Sequence, residues 1–378
     1  MIIIVSHASF KEDRSPIMGT GAFFSPYFKR KKRKYIYIRF PLHGEKYYHV
    51  EVLLNKSIKQ LIIPYNFSDT LFLRSIQEFI VLRYLFNKII NTRFIISIDP
   101  LNTLYSLILS KIKNIKVIFY TADYAKKRFS NFILNMIYHL IDFISINGAS
   151  FVWNVSTRIT AVRKKQGLSM KKNFFIPNSP LFDENRILDY ENIDKYSLIA
   201  VTTMSNSIDF NSLFSSISFI KNKFPKVHLS VIGRGNWERM FEESLQKFKI
   251  EDNVSFYGAM EYYDLLDKIK RSSIGIALYT NDNSWTYYCD SMKARDYLAC
   301  GLPVVISSIS STSDDIEEYN AGLKISDHFE KNLTDYLIYM FSNEIEYKKQ
   351  RQNSINLAKK FDIEQILDRT FKKCKIKI

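Results

Sequence analysis

The chain has 378 residues, 46% of them hydrophobic, and a formal net charge of +16. That length suits two domains, and that apolar fraction fills large cores. Three cysteines, an odd number without metal spacing, and six scattered histidines argue against a disulfide framework and a zinc site, and for a reducing, cytoplasmic compartment.

The amino-terminal run MIIIVSHASF is too short for a signal peptide, and Ile2 to Ser6 reads as a first strand ending near His7. A loop with Gly19, Thr20 and Gly21 opens a helix toward Lys32, and Gly21 would let backbone approach a diphosphate. The helix carries Lys29 to Lys34, KRKKRK, among Phe23, Phe24, Tyr27, Phe28, Tyr35 and Tyr37. Basic residues interleaved with aromatics suit an anionic membrane surface; a solvated helix end fits the same run. Tyr35 to Arg39 is the next strand, Asp69 to Ile90 a helix, Phe94 to Ile98 a strand ending at Asp99-Pro100, and Leu101 to Ile112 a helix. Val117 to Tyr120 is a strand ending at Asp123. A carboxylate beyond the carboxyl end of a parallel strand sits where α/β sites form, so Asp123 is the candidate base; a cap for the next helix is the other reading. Asp99 is a poorer candidate because Pro100 points to a turn, and His7 reads first as a loop residue. Ser130 to Ile144 is helical. The stretch Phe132 to Trp153 is the most apolar of the chain, but His139 and Asp142 interrupt it, so it reads as a buried helix plus a strand. No stretch of about 18 residues is apolar enough to span a bilayer. Phe151 to Val155 and Phe174 to Ile176 close the half.

Pro177 to Lys195 reads as a linker, and the βα pattern restarts. Leu198 to Thr202, His228 to Ile232, Val254 to Phe256 and Ile274 to Leu278 are strands. Phe210 to Lys221, Asn236 to Phe248 and Tyr262 to Lys270 are helices. The tail from Glu346 to Cys374 forms two helices broken near Asp362.

The most informative segment is Asp290 to Ile306, DSMKARDYLACGLPVVI. Asp290 or Ser291 caps a helix, Gly301 ends it in the left-handed region, and Pro303 precedes the buried strand Val304-Val305-Ile306. Lys293 lies in the first turn, where the helix dipole disfavours a cation, and an anion bound there would explain it. Asp296 shares its face and can accept hydrogen bonds from a ribose diol. Upstream, Gly233-Arg234-Gly235 links a strand to a helix; its amides suit a phosphate or a base, or form only a tight turn.

This segment resembles the nucleotide-binding helix of GT-B glycosyltransferases of the group-1, family-4-like superfamily. Asp296 stands where glutamate is usual, followed by Tyr297, Leu298, Ala299, Cys300, Gly301, Leu302 and Pro303. The order Val231-Ile232-Gly233-x-Gly235, Val254-x-Phe256-x-Gly258 and then the Asp296 helix is also that of the family. The resemblance implies a GT-B fold: two Rossmann-like parallel-sheet domains facing across a cleft, 1–180 on the acceptor side and 181–355 on the nucleotide-sugar side, with 356–378 returning to the first. It implies a hexosyltransferase-type reaction from a nucleotide-diphosphate sugar to an acceptor hydroxyl, of a lipid-linked or cell-surface glycan. Gly233, Arg234, Gly235, Gly258, Met260, Ser291, Met292, Lys293 and Asp296 would hold the donor, with Gly258 to Met260 beside the base.

Two departures separate the chain from many members. Tyr288 stands where an acidic residue faces the donor sugar, and Thr202 to Asp209 lacks the usual Arg and Lys. Lys293 would neutralise the diphosphate, as in subfamilies with a Ser/Pro-x-Lys-x-x-Glu-Tyr pattern, so no metal or other cofactor is expected. The expected location is cytoplasmic, peripheral on the inner membrane face. A GT-B-fold epimerase and a basic nucleic-acid-binding protein are the alternatives. Cleft residues of the acidic and histidine kind expected of the first are lacking, as is any recognisable module for the second, so no nucleic-acid partner is expected.

Overall fold

In the computed structural model, which describes residues 1–17, 19–54, 57–89, 91–203, 208–280 and 284–378, without the side chains of 238, 284 and 285, the chain divides into two units. One comprises Met1–Pro177 and Ile366–Ile378, the other Asn178–Gln365.

The first unit is built on a sheet of strands β1 (Ile2–Ala8), β2 (Tyr35–Pro41), β3 (Tyr47–Leu54), β4 (Ser57–Pro64), β5 (Phe94–Ile98), β6 (Lys116–Thr121), β7 (Phe151–Asn154) and β8 (Asn173–Phe175). Their order is β4-β3-β2-β1-β5-β6-β7-β8. Apolar runs such as Ile2 to Val5 and Phe94 to Ile98 are buried, as central parallel strands require. The expectation of a parallel sheet needs correction at one edge, where β2, β3 and β4 pair antiparallel. Of these, β3 and β4 were not expected, because β3 turns His49 and Glu51 inward, which breaks the apolar pattern. Both are buried because Arg39 bonds Glu51 Oε2 at 3.3 Å while lying 3.6 Å over the Tyr37 ring, and the Tyr35 hydroxyl donates to Glu51.

Two expectations about surfaces also change. The helix expected from Gly19 to Lys32 runs only over Phe24–Arg30. The aromatics around KRKKRK are core residues: Phe24, Tyr27, Phe28 and Tyr35 are fully buried and Phe23 and Tyr37 nearly so. Phe371 of the Ile363–Lys373 helix stacks among them, beside Tyr27, Phe28, Phe94 and Trp153, and Tyr27 donates to Asp368 at 2.8 Å. By contrast the helix Phe132–Gly148, expected to be buried, has only Asp142, Ser145 and Ile146 inside.

The second unit holds β9 (Ser197–Val201), β10 (His228–Ile232), β11 (Val254–Phe256), β12 (Ile274–Ala277), β13 (Val304–Ser307) and β14 (Gly322–Ile325), in the order β11-β10-β9-β12-β13-β14. The pairings between these strands are parallel. Helices Phe210–Ile220, Phe329–Ser342 and the residues around them seal its core. β14 and the helices Thr312–Glu318 and Phe329–Ser342 have no counterpart in the sequence reading.

Candidate functional site

In the second unit the chain leaves β9 toward β10 and β11, then returns to place β12 on the other side of β9. Connections therefore depart in opposite directions from β9 and β12, and a crevice opens at their carboxyl ends. The Gly233 N–H donates to the Gly258 carbonyl at 2.8 Å, joining the loops after β10 and β11. A Cβ on Gly233 would lie 1.7 Å from the Thr202 carbonyl oxygen, so only glycine lets the turn after β10 lie against the end of β9. Gly258 has φ +65° and no atom within 4 Å of where a Cβ would point, so its backbone borders open space. The structure thus brings Gly233 and Gly258 together, with Met260 half-buried beyond them; Arg234 and Gly235 are exposed. Of the stretch Thr202 to Asp209, positions 204–207 lie outside the described residues.

The helix Met292–Ala299 crosses this point. Ser291 is its cap, accepting from the Ala294 N–H at 3.2 Å, while its own N–H donates to Thr312 Oγ1 at 2.7 Å. Asp290 has another task. Buried, it accepts from the Asn178 N–H at 2.6 Å, from Thr312 Oγ1 at 2.9 Å and from Arg295 Nη2 at 2.8 Å. Arg295 also bonds Asp315 and lies 4.3 Å over the Phe361 ring. Tyr297 packs on Gly275, where a Cβ would lie 2.3 Å from its ring. Its hydroxyl accepts from the Val201 N–H at 2.7 Å and donates to the Ile276 carbonyl at 3.4 Å, tying the helix to both β9 and β12. The isolated glycine within a strand was a legible sign of such close approach; its partner was not.

With one face of the helix so anchored, Met292 and Lys293 lie half-buried at its start. Among the described residues no carboxylate pairs with Lys293. Burial draws its ammonium down to about 8, opposed only by Cys289. Asp296 is 8% exposed and accepts from the Tyr262 hydroxyl at 2.9 Å. Burial pushes its carboxyl up to about 7, against the Tyr262 bond and the charge of Arg186. Tyr262 and Arg186 were missed: the first sits in an ordinary amphipathic helix, the second in what read as linker. Two ionisable groups held near their midpoints are costly in an empty protein. An ammonium in a helix first turn suits a diphosphate, and a carboxylate one turn on suits a pair of hydroxyls.

The other sequence-derived candidates lie in the first unit. Gly21, φ +82°, is buried, and a Cβ there would lie 2.6 Å from Ile98 Cδ1, which makes it a packing glycine at the end of β5. That sheet has its own switch point between β1 and β5, occupied by residues the sequence reading ranked low. His7 Nδ1 lies 2.8 Å from Asp99 Oδ2, and Nε2 lies 3.2 Å from Glu78 Oε2. Burial alone would lower the imidazole pKa, but the charges and hydrogen bonds of Asp99 and Glu78 carry it up to about 10. His7 is thus a clamped cation. Asp99, at φ +79°, also accepts from the Asn102 N–H at 2.9 Å and so starts the helix Pro100–Lys113. Asp123 is exposed, 3.8 Å from Arg128 Nη1. It does not cap the next helix, because Asn131 does, accepting from the Leu134 N–H at 3.1 Å.

Residues 191–360 match the family described as glycosyl transferases group 1. No curated protein matches the chain. Anabaena Alr3699/HepE, solved in complex with UDP, superposes with TM-score 0.69 at 14% identity over 98% of this chain and 100% of that one. Sucrose-phosphate synthase from Thermosynechococcus elongatus gives 0.69 at 11% identity over 99% of each chain. TarM gives 0.62 at 12% identity over 87% of this chain and 73% of that one. At such identities the likeness establishes the fold, which is GT-B.

Proposed function

We propose that this chain, a glycosyltransferase carrying the group 1 domain on a GT-B fold, holds a nucleotide-diphosphate sugar on the Met292–Ala299 helix and passes the sugar to an acceptor hydroxyl. The observation that carries the reading is the pair Lys293 and Asp296, desolvated and in no ion pair among the described residues, on one face of a helix laid over a switch point. Lys293 and the Met292 and Lys293 amides of the helix start, on the turn that Ser291 caps, take the diphosphate. Asp296, oriented by Tyr262, takes the ribose hydroxyls. The backbone of Gly233, Gly235 and Gly258, with Met260, lines the base, and Arg234 reaches it from solvent. HepE, bound to UDP and to UDP-glucose in its structures, supports a uridine donor by analogy.

Catalysis needs positioning and neutralisation of the departing diphosphate, which Lys293 supplies without a metal. Asp123, an exposed carboxylate just beyond β6, is the base for the acceptor hydroxyl if the reaction inverts the anomeric centre. The acceptor class is a lipid-linked or cell-surface glycan. The test is product formation from a panel of radiolabelled sugar nucleotides with lipid-linked and soluble glycan acceptors. Transfer from one donor supports the reading. Conversion of a donor to its epimer without acceptor would replace it with the epimerase, and no turnover of any donor by protein that binds none of them would overturn it.

A further inference from the structure

Among the described residues no helix is long and apolar enough to cross a membrane, yet the first unit leaves an apolar surface uncovered. Helix Phe132–Gly148 exposes Phe132 (79%), Ile133, Met136, Ile137, Leu140 and Ile144. Their spacing of three to four residues puts them on one side. Helix Leu71–Lys88 does the same with Phe72 (72%), Leu73, Ile76, Ile80 and Tyr84. Helix Pro100–Lys113 packs against both and exposes Ile108 and Ile112. Three neighbouring helices therefore present a broad apolar face, of a kind that marks an interaction site.

The charges on these helices select the partner. The acidic residues in the three helices are Glu78 and Asp142, each 1% exposed, one bonded to His7 and the other to Arg163. The exposed charges are all basic: Arg83 and Lys88 on the first helix, Lys111 and Lys113 on the second. Exposed Lys126 and Lys127 lead into the third. A second copy of this face would set like charges together, and nucleic acid offers nothing to the apolar rows. An anionic bilayer satisfies both: acyl chains take the apolar side chains, and phosphate headgroups take the lysines and arginines around them.

We propose that the faces of helices Leu71–Lys88, Pro100–Lys113 and Phe132–Gly148 dock the protein on an anionic lipid bilayer. The inference gives the membrane-bound acceptor reading a surface, and nucleotide-diphosphate binding measured in the same preparations keeps its failure distinct from failure of that reading.

The experiment is flotation of the full chain with vesicles of phosphatidylcholine plus phosphatidylglycerol and with pure phosphatidylcholine. The wild-type protein should float with the anionic vesicles, and less so as salt rises. Phe132→Ser with Met136→Ser and Leu140→Ser should lower partitioning by more than about tenfold, with unchanged melting because these side chains are exposed. A second variant, Phe72→Ser with Ile76→Ser, should weaken it in the same direction through the neighbouring helix. Failure of the wild type to float would overturn the proposal. So would loss of flotation on changing Lys29, Arg30 and Lys32 to Gln while both apolar variants still float. A dimer in solution that these apolar substitutions dissociate, with no vesicle binding, would instead assign the face to a second copy.

Discussion

Each unit has one switch point in its sheet, and each places ionisable side chains there, but the two places are neutralised differently. Between β1 and β5 the charges answer one another: His7 lies between Asp99 and Glu78, and its pKa is carried up to about 10. At the β9–β12 point burial outweighs the charges nearby. Lys293 is drawn down to about 8 and Asp296 pushed up to about 7, each chiefly by burial. The difference separates a charge cluster that helps hold the fold from one whose cost an arriving ligand removes. It also sorts the carboxylates of the first unit. Asp99 is engaged by His7 and the Asn102 N–H, whereas Asp123 remains exposed, with Arg128 beside it and the charge of Asp99 also acting on it.

The largest effect tests that sorting. Asp123→Asn keeps the shape of the side chain and removes its basicity, so turnover should fall by about 10²–10⁴-fold with donor affinity unchanged. Product configuration has to be read alongside, because a retaining reaction needs no such base and the loss would be milder. Near-normal turnover by a folded variant with an inverted product would remove Asp123 from the chemistry.

Next is stability in the first unit. His7→Leu leaves Glu78, 1% exposed, without its partner, and should cost roughly 3–5 kcal/mol in chemical denaturation. The pH dependence has a definite sign. The folded pKa of His7, about 10, exceeds the ordinary 6.5, so its stabilisation is complete below pH 6.5 and fades as pH rises toward 10. The wild type should lose that increment across this window and the variant should not; parallel pH profiles would show that the cluster contributes nothing.

The donor side should respond in binding. Lys293→Ala should weaken a nucleoside diphosphate by roughly 1.5–3 kcal/mol and the nucleoside hardly at all, measured by titration calorimetry. Equal losses for both ligands would place Lys293 away from the diphosphate. Asp296→Asn should act in opposite directions on two readouts. The folded pKa of Asp296, about 7, lies above the ordinary 3.8, so burying its charge lowers stability as pH rises through that interval. The variant should therefore be more stable than wild type above pH 7, by on the order of 1–3 kcal/mol, and bind the nucleoside more weakly. A variant that is less stable at pH 8 would mean that Asp296 is a structural carboxylate like Asp290.

The smallest effect is a proton. With Lys293 near its midpoint at about pH 8, an arriving diphosphate should raise its pKa and draw a fraction of a proton from the buffer. Calorimetry in buffers of different ionisation enthalpy reads this directly, and Lys293→Arg should abolish it.

Much of the second unit was legible in the sequence because its signals are local. Apolar runs bounded by turn residues marked β10 and β11 at their observed limits, and the cap, glycine and proline of Ser291, Gly301 and Pro303 framed the donor helix. What was not legible there depends on partners far along the chain, such as Asn178 for Asp290 and Tyr262 for Asp296. In the first unit β3 escaped notice because its buried His49 and Glu51 look like surface residues until Arg39 and Tyr35 are placed beside them. The basic run KRKKRK misled in the opposite way, since its aromatic neighbours fit either a membrane or a core.

The sequence by itself determined the alternation of strands and helices, the division into two halves, and a helix bearing Lys293 and Asp296 on one face. Those features follow from residue periodicity and capping, which act within one or two turns of chain. Tertiary structure alone decided which charges are neutralised and which apolar faces are covered. His7 and Asp99 meet across 92 positions, and Phe132, Met136, Leu140 and Ile144 stay exposed while equally apolar Phe23, Phe24 and Phe28 are buried. Both outcomes depend on what packs alongside, and desolvation and ion pairing are properties of that environment rather than of the residues.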